Sequence, residues 1–347
     1  MVATLKDVAG AAGVSVKTVS NVVNGYEFVK ASTRERVLSA IEELGYQPNL
    51  AARNLRAGRT GVIGLAVPSL SFSYFAELAD AVLEASRKLG FVTLIEQTGG
   101  DRDAELELLR GSRLSMLDGL LFSPLGMSTD DADSLNVDYP LVLLGERIFG
   151  GPTDHVVMQN VNGGYAATAH LIDSGRRRIA VLGAHVAERV GSASLRLEGY
   201  RRALADAGID TGDELVVFRE GWHRTDGAAA TRELLDSGTP FDAIFALNDE
   251  LALGALRVLH QDNVRVPDDV AVIGFDNLIE GQFAMPSLST IDPGRADIAE
   301  RAVAALIERI GDRDGHIGAP RMIEVPFTTV ARESTLSMSA VTSAHSS

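Results

Sequence analysis

The chain contains no cysteine, which excludes a disulfide framework, a thiolate nucleophile and any cysteine-ligated metal site. It has no run of about 18 uninterrupted apolar residues, so a transmembrane helix is excluded as well. The apolar stretch at the N-terminus is broken by Lys6 and Asp7, and a cleaved signal peptide is therefore not expected. These absences predict a soluble, cytoplasmic protein, and 347 residues suffice for about two domains.

Positive charge is scarce, because 32 Lys and Arg face 47 Asp and Glu, for a net charge of −15. Taken as a whole, such a chain repels nucleic acid. The charges are unevenly distributed, however. Residues 1–60 hold eight Lys and Arg against five Asp and Glu, whereas residues 61–347 hold 24 against 42. A basic head on an acidic body is expected of a small polyanion-binding domain joined to a ligand-binding body.

The head carries the start and stop signals of three short helices. A hydroxyl residue stands at each predicted helix start: Thr4, Ser15 and Ser32. Thr4 and Ser32 are each followed three positions later by an acid, Asp7 and Glu35. Gly13 follows the first predicted helix and Gly45 the third. Such residues cap helix starts and adopt the left-handed conformation that ends helices. Two helices joined by three or four residues around a glycine indicate a helix-turn-helix within residues 1–47.

Residues 48–60 separate the head from the body. Asn49 can cap a short helix there and Gly58 can end it, but the segment offers few apolar side chains for a core. A helix of this length is marginal in water on its own.

From residue 61 onward, apolar runs typical of strands alternate with stretches of helical periodicity. The predicted strands are 62–67, 91–96, 119–123, 141–145, 179–183, 215–218, 243–247 and 270–275; the predicted helices are 76–89, 163–174, 195–207, 226–237 and 249–260. This alternation indicates parallel α/β sheets covered on both faces. Residues 61–333 suit two such sheets, and the small, polar tail at 334–347 is predicted to be disordered.

The head segments TLKDVAGAAGVSVKTVSNVVNG and ASTRERVLSAIEELGYQPNLAARNLR closely resemble the N-terminus of the lactose-repressor/galactose-repressor family of bacterial transcription factors. In the body, the resemblance continues through GVIGLAVP, LDGLLFSP, RIAVLG, SLRLEGYRRAL, FALNDELALGAL and VAVIGFDN, and so covers residues 4–333. It implies a helix-turn-helix head, a hinge helix, and a bilobed α/β body of two parallel sheets that is similar to periplasmic sugar-binding proteins.

The second helix of a helix-turn-helix enters the major groove with its first residues toward the base edges. Here those residues are Val16, Lys17 and Asn21, which can contact a thymine methyl, a guanine and an adenine; the alternative for Val16 is a place in the core. The resemblance implies further DNA contacts. Those to phosphates are expected from Thr18, Ser20, Asn24, Lys30 and Thr33. Phe28, in the next loop, is expected near a base, and other DNA contacts are expected from Thr4, Leu5 and Lys6. Many family members carry Arg at the position of Asn21, so the operator sequence of a relative is not expected to apply to this chain.

Residues 49–57 match the family's hinge helix, which forms when two copies meet in the minor groove. The resemblance makes Leu55 a wedge in the central base step, with Asn49 at the helix start and Arg53 and Arg56 beside the phosphates. Such a wedge costs a few kcal/mol in unstacking, which the contacts of a bent duplex offset. The alternative is a solvated linker whose leucine packs on the body.

The resemblance also implies an effector between the two lobes of the body. Its contacts are expected from aromatic and polar side chains: Tyr74, Phe75, Ser123, Arg196, Trp222, Asn248 and Asp276. Aromatic faces with a few oriented polar groups suit a neutral polyol or ring. The alternatives are a helix-face salt bridge for Arg196 and a core position for Trp222. Where the family usually has Asn-Pro this chain has Phe72-Ser73, and the effector class, sugar or nucleobase, stays open.

Signals of catalysis are missing. The sequence has no GxxxxGK[ST], HExxH or GxSxG motif, and its seven histidines show no metal-ligand spacing. The acidic run Asp130, Asp131 and Asp133 is expected to be a solvated loop rather than a metal site. No cofactor or metal is expected. Two alternatives remain: a solute-binding protein, which the basic head disfavours, and an α/β enzyme such as a sugar-phosphate isomerase, for which no nucleophile or base constellation is present.

The sequence therefore predicts a homodimeric, DNA-binding transcription regulator, a repressor, that binds a pseudo-palindromic operator and is switched by a small molecule. It predicts neither an enzyme nor a membrane protein. No apolar heptad repeat follows the body, so a dimer rather than a tetramer is expected. The dimer contacts are expected from helices near 76–89 and 251–280. The predicted domains are 1–47, 48–60, 61–333 and 334–347.

Overall fold

The computed structural model describes residues 3–23, 26, 28–46, 59–111, 116–186, 190–210, 212–312 and 318–336. Its contacts divide the chain into two units, Met1–Gly61 and Val62–Ser347. In the described residues, no helix is both long and apolar enough to cross a membrane.

The first unit contains three helices in its described part: α1 (Leu5–Ala12), α2 (Val16–Val23) and α3 (Ala31–Glu43). The predicted capping box at α1 is confirmed, since Thr4 and Asp7 each accept the other's backbone N–H. Gly13 ends α1 in the left-handed conformation. One buried valine from each helix, Val8, Val19 and Val37, contributes to the core. A turn of three residues therefore joins α1 to α2, as a helix-turn-helix requires.

The predicted capping box of α3 is wrong. Ser32 lies inside the helix, whose N-cap is Lys30, and Lys30 makes no side-chain cap hydrogen bond. The chain turns helical two residues earlier than the Ser32–Glu35 pattern suggests, so Ser32 has helical backbone instead of the extended backbone of an N-cap.

The first lobe of the second unit is a parallel sheet in the order β11-β5-β4-β3-β1-β2. Its strands are β1 (Val62–Val67), β2 (Val92–Gln97), β3 (Gly119–Phe122), β4 (Leu141–Leu144), β5 (Asp154–Met158) and β11 (Met322–Val325). Helices α4 (Ser73–Lys88) and α11 (Arg295–Gly311) pack on one face, and α5 (Arg102–Arg110) and a 3₁₀ helix, Thr129–Leu135, pack on the other. Both faces are covered, as continuous apolar strands require.

The second lobe has the order β12-β10-β9-β8-β6-β7, with β12 antiparallel to β10 and the other pairs parallel. Its strands are β6 (Ile179–Ala184), β7 (Val216–Phe218), β8 (Ala243–Ala246), β9 (Ala271–Phe275), β10 (Ser289–Asp292) and β12 (Thr328–Val330). Its helices are α6 (Asn160–Asp173), α7 (Ser192–Asp206), α8 (Arg224–Asp236), α9 (Asp249–Gln261) and α10 (Ile279–Gln282), with a 3₁₀ helix at Asp213–Leu215.

The chain passes between the lobes three times within the described residues. The first passage follows β5 at Gln159, the second follows β10 at residues 293–294, and the third joins β11 to β12 at residues 326–327. Each connection is only one or two residues long. Lobes joined by short parallel connections leave a cleft between them where a ligand can bind.

All eight predicted strands of the body are confirmed, each within one residue, and the five predicted helices are confirmed with starts up to three residues earlier. Four strands of the body, β5, β10, β11 and β12, and three of its helices, α5, α10 and α11, were not predicted. The predicted start of the disordered tail at residue 334 is wrong. Ser334 and Thr335 are buried, and the Ser334 hydroxyl donates to the carbonyl of Val272 at 2.6 Å. The rest of that tail, from residue 337, lies outside the described residues.

Candidate functional site

Helix α2 places the predicted base-reading side chains on its outer face. The Ser15 hydroxyl accepts the backbone N–H of Thr18 at 3.1 Å and caps the helix start. Val19 and Val22 are buried, whereas Val16 is 39% exposed and Lys17 is exposed. Val16 is therefore not a core residue, and the first turn of α2 is exposed to solvent.

The other residues of the head that are predicted to bind DNA differ in exposure and in the contacts that their side chains make within the protein. Thr4, Lys6 and Lys30 are exposed, and Leu5, Thr18, Ser20, Asn21 and Thr33 are half-buried. The Thr4 hydroxyl donates to Asp7 at 2.7 Å, and the Thr4 backbone N–H donates to the same carboxylate at 2.8 Å. Phe28 is 85% exposed, and its ring packs edge-on against Tyr26 with centroids 5.6 Å apart. Asn24, Asn49, Arg53, Leu55 and Arg56 lie outside the described residues.

In the second unit, a cavity of about 160 Å³ lies between the two lobes. Tyr74, Phe75 and Ser123 line it from the first lobe, and Arg196, Trp222, Asn248 and Asp276 line it from the second. The structure thus brings all seven sequence-predicted effector residues to one cavity, although they are spread over 203 positions of the chain, from 74 to 276.

Arg196, on α7, is 2% exposed and is held on several sides. Its Nε donates to Asn160 Oδ1 at 2.8 Å and its Nη1 to the carbonyl of Leu247. The guanidinium carbon lies 3.6 Å from the ring centroid of Phe275. Nη2 lies 3.5 Å from Asp276 Oδ1, so the ion pair of Arg196 is buried in the cavity wall and does not lie on a helix surface.

Asp276 directly follows β9 and has φ of 114°, a region that non-glycine residues rarely occupy. Its carbonyl accepts from Arg295 Nη1 at 2.7 Å. Burial raises the pKa of its carboxyl to about 6, against the opposing effect of Arg196 and Arg295. Backbone strain of this kind persists where the surrounding structure over-determines it, and it clusters at ligand sites.

Trp222 and Asn248 are tied to the second lobe by hydrogen bonds. Trp222 Nε1 donates to the carbonyl of Gly183 at 2.8 Å, and Asn248 Nδ2 donates to the carbonyl of Trp222 at 3.0 Å. Asn248 Oδ1 accepts the N–H of Leu251 and thereby caps α9. Each polar end of the Asn248 amide therefore makes one hydrogen bond within the protein. Trp222 is half-buried, lines the cavity and also packs against the core of the second lobe.

Two buried glutamates on the cavity wall were missed. Glu146 accepts the N–H of Met158 at 3.0 Å and, across the cleft, the hydroxyl of Ser192 at 2.9 Å. Glu250 accepts, also across the cleft, the N–H of Ser73 at 2.8 Å. Each acid follows the end of a parallel strand, β4 or β8, by a few residues. That position, where α/β proteins bind ligands, was the signal available in the sequence.

Asp249 supports the loop that carries Asp276. Its carboxylate is fully buried and accepts the Thr290 hydroxyl at 2.7 Å and the N–H of Leu278 at 2.8 Å. Burial raises the pKa of Asp249. The acidic run at Asp130–Asp133 has a structural use, since Asp131 pairs with Arg102 and accepts the N–H of Ser128.

Comparison with known proteins finds matches to both units of the chain. Residues 4–49 match the family of bacterial regulatory proteins named after lacI, and residues 168–335 match the periplasmic binding protein-like domain. The HTH-type transcriptional repressor PurR of Vibrio atlanticus is 32% identical over 90% of this chain and 93% of its own length. The chain belongs to the lacI family of bacterial regulatory proteins. The predicted family, fold class and DNA-binding regulatory function are thereby confirmed.

Solved lacI-family structures show the same architecture. A regulator from Sanguibacter keddieii assigned to the family is 51% identical, with a TM-score of 0.74 over 80% of this chain and 99% of that one. The lac repressor dimer bound to operator and the anti-inducer ONPF is 26% identical, with a TM-score of 0.77 over 97% of this chain and 100% of that one. The CelR–cellobiose complex is 32% identical, with a TM-score of 0.70 over 96% and 99%.

Proposed function

We propose that this lacI-family protein is a homodimeric, cytoplasmic transcriptional repressor. It binds a pseudo-palindromic operator through its heads, and a small molecule in the cavity between its lobes changes that affinity. A two-fold dimer supplies the symmetry that a palindromic site requires. The observation that carries the proposal is the convergence of seven predicted effector residues from both lobes on one cavity, in a chain whose head leaves Val16 and Lys17 exposed at a helix start.

The head reads sequence through the first turn of α2. Lys17 donates to guanine, Asn21 pairs with adenine and Val16 contacts a thymine methyl. Phosphates are bound by Lys30 and by hydroxyl residues of the head. Residues 49–57 form a hinge helix in the minor groove, where Leu55 is the wedge.

The effector acts by a coupling free energy between cavity and operator, which is reciprocal. Because the cavity wall is shared by two lobes joined through short connections, a ligand that contacts both walls favours one relative arrangement of the lobes over another. A bound effector therefore changes the affinity for the operator, and a bound operator changes the affinity for the effector by the same factor. The chain carries out no catalysis in this account.

The test uses the full-length chain and a random-sequence DNA library. Repeated selection of bound DNA is expected to yield a palindromic site of two half-sites. Selection with Asn21→Ala is expected to yield a site with a different base preference in each half-site. Lys88→Ala, an exposed lysine on α4, is the matched control and should select the wild-type site. Recovery of no preferred sequence would overturn the proposal.

A further inference from the structure

The loop that follows β3, residues 123–127, forms part of the cavity wall in the first lobe. Ser123, Pro124 and Leu125 line the cavity. Leu125 is also 37% exposed to solvent, whereas Met127 is buried in the core of this lobe. The loop therefore connects the core with the edge of the cavity, and Leu125 lies where the cavity meets solvent.

Glu105, on α5, binds the backbone of this loop and is not among the described residues that line the cavity. Its side chain is fully buried. The carboxylate accepts three consecutive backbone N–H groups, those of Leu125 at 2.7 Å, Gly126 at 3.0 Å and Met127 at 2.8 Å. The Thr98 hydroxyl donates to it at 3.4 Å. Because a buried N–H without a partner is unfavourable, this one side chain fixes the path of the loop.

Two glycines allow α5 and the loop to approach each other closely. A Cβ at Gly126 would lie 2.5 Å from the backbone N of Arg102 and from the carbonyl oxygen of Gly100, so a larger residue does not fit there. Gly100 has φ of 69°, and a Cβ there would lie 3.0 Å from Cδ2 of Leu125. The Leu125 side chain therefore packs over Gly100, while its backbone N–H is held by Glu105.

We propose that Glu105 is a positioning residue of the cavity between the lobes: it holds Leu125 at the edge of the cavity and thereby controls the entry of small molecules. The inference rests on the proposed function, in which this cavity holds the effector. Helix α5 has a cap of its own, because the carboxylate of Asp101 accepts the N–H of Ala104 at 2.9 Å. The hydrogen bonds of Glu105 therefore serve the loop rather than the helix that carries it.

Replacement of Glu105 by glutamine keeps the size of the side chain and removes one acceptor. One carboxylate oxygen becomes an NH₂ group, which donates hydrogen bonds and accepts none. The N–H of Leu125 is bound by one oxygen and that of Met127 by the other, so one of these two N–H groups loses its acceptor and faces another donor. We expect the loop to open locally while the rest of the lobe stays folded.

The test uses the full-length chain and the fluorescence of Trp222, its one tryptophan, which lines the same cavity from the second lobe. The probe is acrylamide, a small neutral quencher. We expect the quenching constant of Glu105→Gln to be about twofold higher than that of wild type, because local opening admits the quencher. Glu107→Gln, exposed and on the same helix, is the matched control and should be quenched like wild type. A purely stabilising role of Glu105 would lower the melting temperature and leave the quenching of the folded protein unchanged.

A second variant tests whether Glu105 acts through Leu125. Leu125→Ala shortens the side chain at the edge of the cavity and should itself raise the quenching constant. Adding Glu105→Gln to it should raise the constant no further, because changes that act on the same contact are not additive.

Hydrogen exchange on the wild-type chain makes the test independent of whether Glu105→Gln folds. The amide hydrogens of Leu125, Gly126 and Met127 should exchange about a hundredfold more slowly than those of an unstructured peptide. Three outcomes overturn the inference: fast exchange of these amides in wild type, unchanged quenching in folded Glu105→Gln, or additive effects in the double variant. Failure of the proposed function shows instead as the absence of a preferred DNA site, on which none of these measurements depends.

Discussion

The carboxylate of Glu250 accepts a hydrogen bond of 2.8 Å from the backbone N–H of Ser73, 177 residues earlier and in the other lobe. Ser73 is the first residue of α4, whose N-cap, Phe72, makes no side-chain cap hydrogen bond. An unpaired N–H at a helix start needs an acceptor, and here the acceptor comes from across the cleft. Phe72 also takes part in this contact between the two lobes, since its ring stacks on that of His223 with centroids 4.1 Å apart.

This contact makes Glu250 both a wall of the cavity and a cap for a helix of the opposite lobe. The Ser192 hydroxyl and Glu146 form a second hydrogen bond between the lobes, at 2.9 Å. A ligand that hydrogen-bonds to either carboxylate therefore acts on a group that also holds the lobes together. We expect ligand binding to be coupled to the arrangement of the lobes through these two bridges.

The first prediction concerns the backbone N–H of Ser73, which a substitution can remove without disrupting α4. Proline is well tolerated at the first position of a helix, so Ser73→Pro deletes the donor to Glu250 and leaves α4 intact. A hydrogen bond to a charged group contributes about 1.5 kcal/mol, and its loss is expected to weaken effector binding by roughly tenfold. Isothermal titration with a small molecule found to bind the cavity measures the change. Ser73→Ala is the matched control, because it loses the same hydroxyl contacts to Glu280 and Arg224 at 3.3 Å but keeps the N–H. It should bind the effector more tightly than Ser73→Pro; equal losses in both variants would contradict the role of the N–H.

The second prediction concerns pH. Because the folded pKa of Asp276 is raised to about 6 from 3.8, the folded protein holds a proton there that the unfolded chain has released. The stability contributed by this group is therefore largest below about pH 4 and falls as pH rises through the window from 4 to 6. Asp276→Asn removes the titration. The free energy of unfolding of the variant minus that of wild type should increase between pH 4 and 7, with a slope of at most about 1.4 kcal/mol per pH unit.

Chemical denaturation at four pH values across this window, at constant ionic strength, provides the comparison. Carboxylates such as Asp154, whose pKa is lowered to about 2 by Arg309 and Arg321 despite its burial, titrate in both proteins and cancel in the difference. Parallel stability curves for the two proteins would show that Asp276 ionises at its ordinary pKa.

The third prediction separates base reading from phosphate binding in the head. Lys17→Ala and Asn21→Ala should each cost about 1–3 kcal/mol at one base position and relax the preference there. Lys30→Ala should weaken all sequences alike and reduce the slope of log affinity against log salt by about one. Fluorescence anisotropy with operators substituted at single positions, at three salt concentrations, distinguishes the two patterns. An unchanged preference in Asn21→Ala would mean that α2 does not lie in the groove as described.

The fourth prediction concerns the oligomer. Light scattering should give twice the 36.8 kDa chain mass for the full chain and for a chain ending at residue 336. The truncation starts at 337 because Ser334 and Thr335 are buried in the second lobe. Exposed apolar groups on the first lobe, such as Leu83 on α4 and Leu94 on β2, can supply contacts between copies. A monomer at micromolar concentration, or a tetramer lost on truncation, would contradict the prediction.

The sequence predicts the body's main strands because their apolar runs are continuous, and it misses strands whose ends are polar. β5 begins with Asp154 and His155, both buried. Asp154 is accommodated there because Arg309 and Arg321 donate to its carboxylate at 2.7 and 2.8 Å. These partners lie more than 150 positions away, and no local pattern reveals them. β11 and β12 are short and largely exposed, so their apolar signal is weak.

The resemblance pointed to the candidate effector residues, whereas Glu146 and Glu250 were missed, although Glu250 stands in the segment FALNDELALGAL. Their role depends on Ser192 and Ser73, which a sequence does not place opposite them. Asn248 illustrates a different limit. The resemblance assigns it to the ligand, and the structure adds that its Oδ1 accepts the N–H of Leu251 and that its Nδ2 donates to the carbonyl of Trp222. Hydrogen-bond commitments of this kind can be known only from coordinates.

The most direct test of the account is the linkage between cavity and operator in one full-length preparation. Operator affinity is measured by anisotropy with and without saturating effector, and effector affinity by calorimetry with and without operator. The account predicts that the two ratios are equal and differ from one by at least fivefold. It also predicts that Arg196→Lys and Asp276→Asn reduce the effector's influence on operator affinity and preserve operator binding in its absence. An operator affinity that is the same at all effector concentrations, with the effector demonstrably bound, would contradict the account.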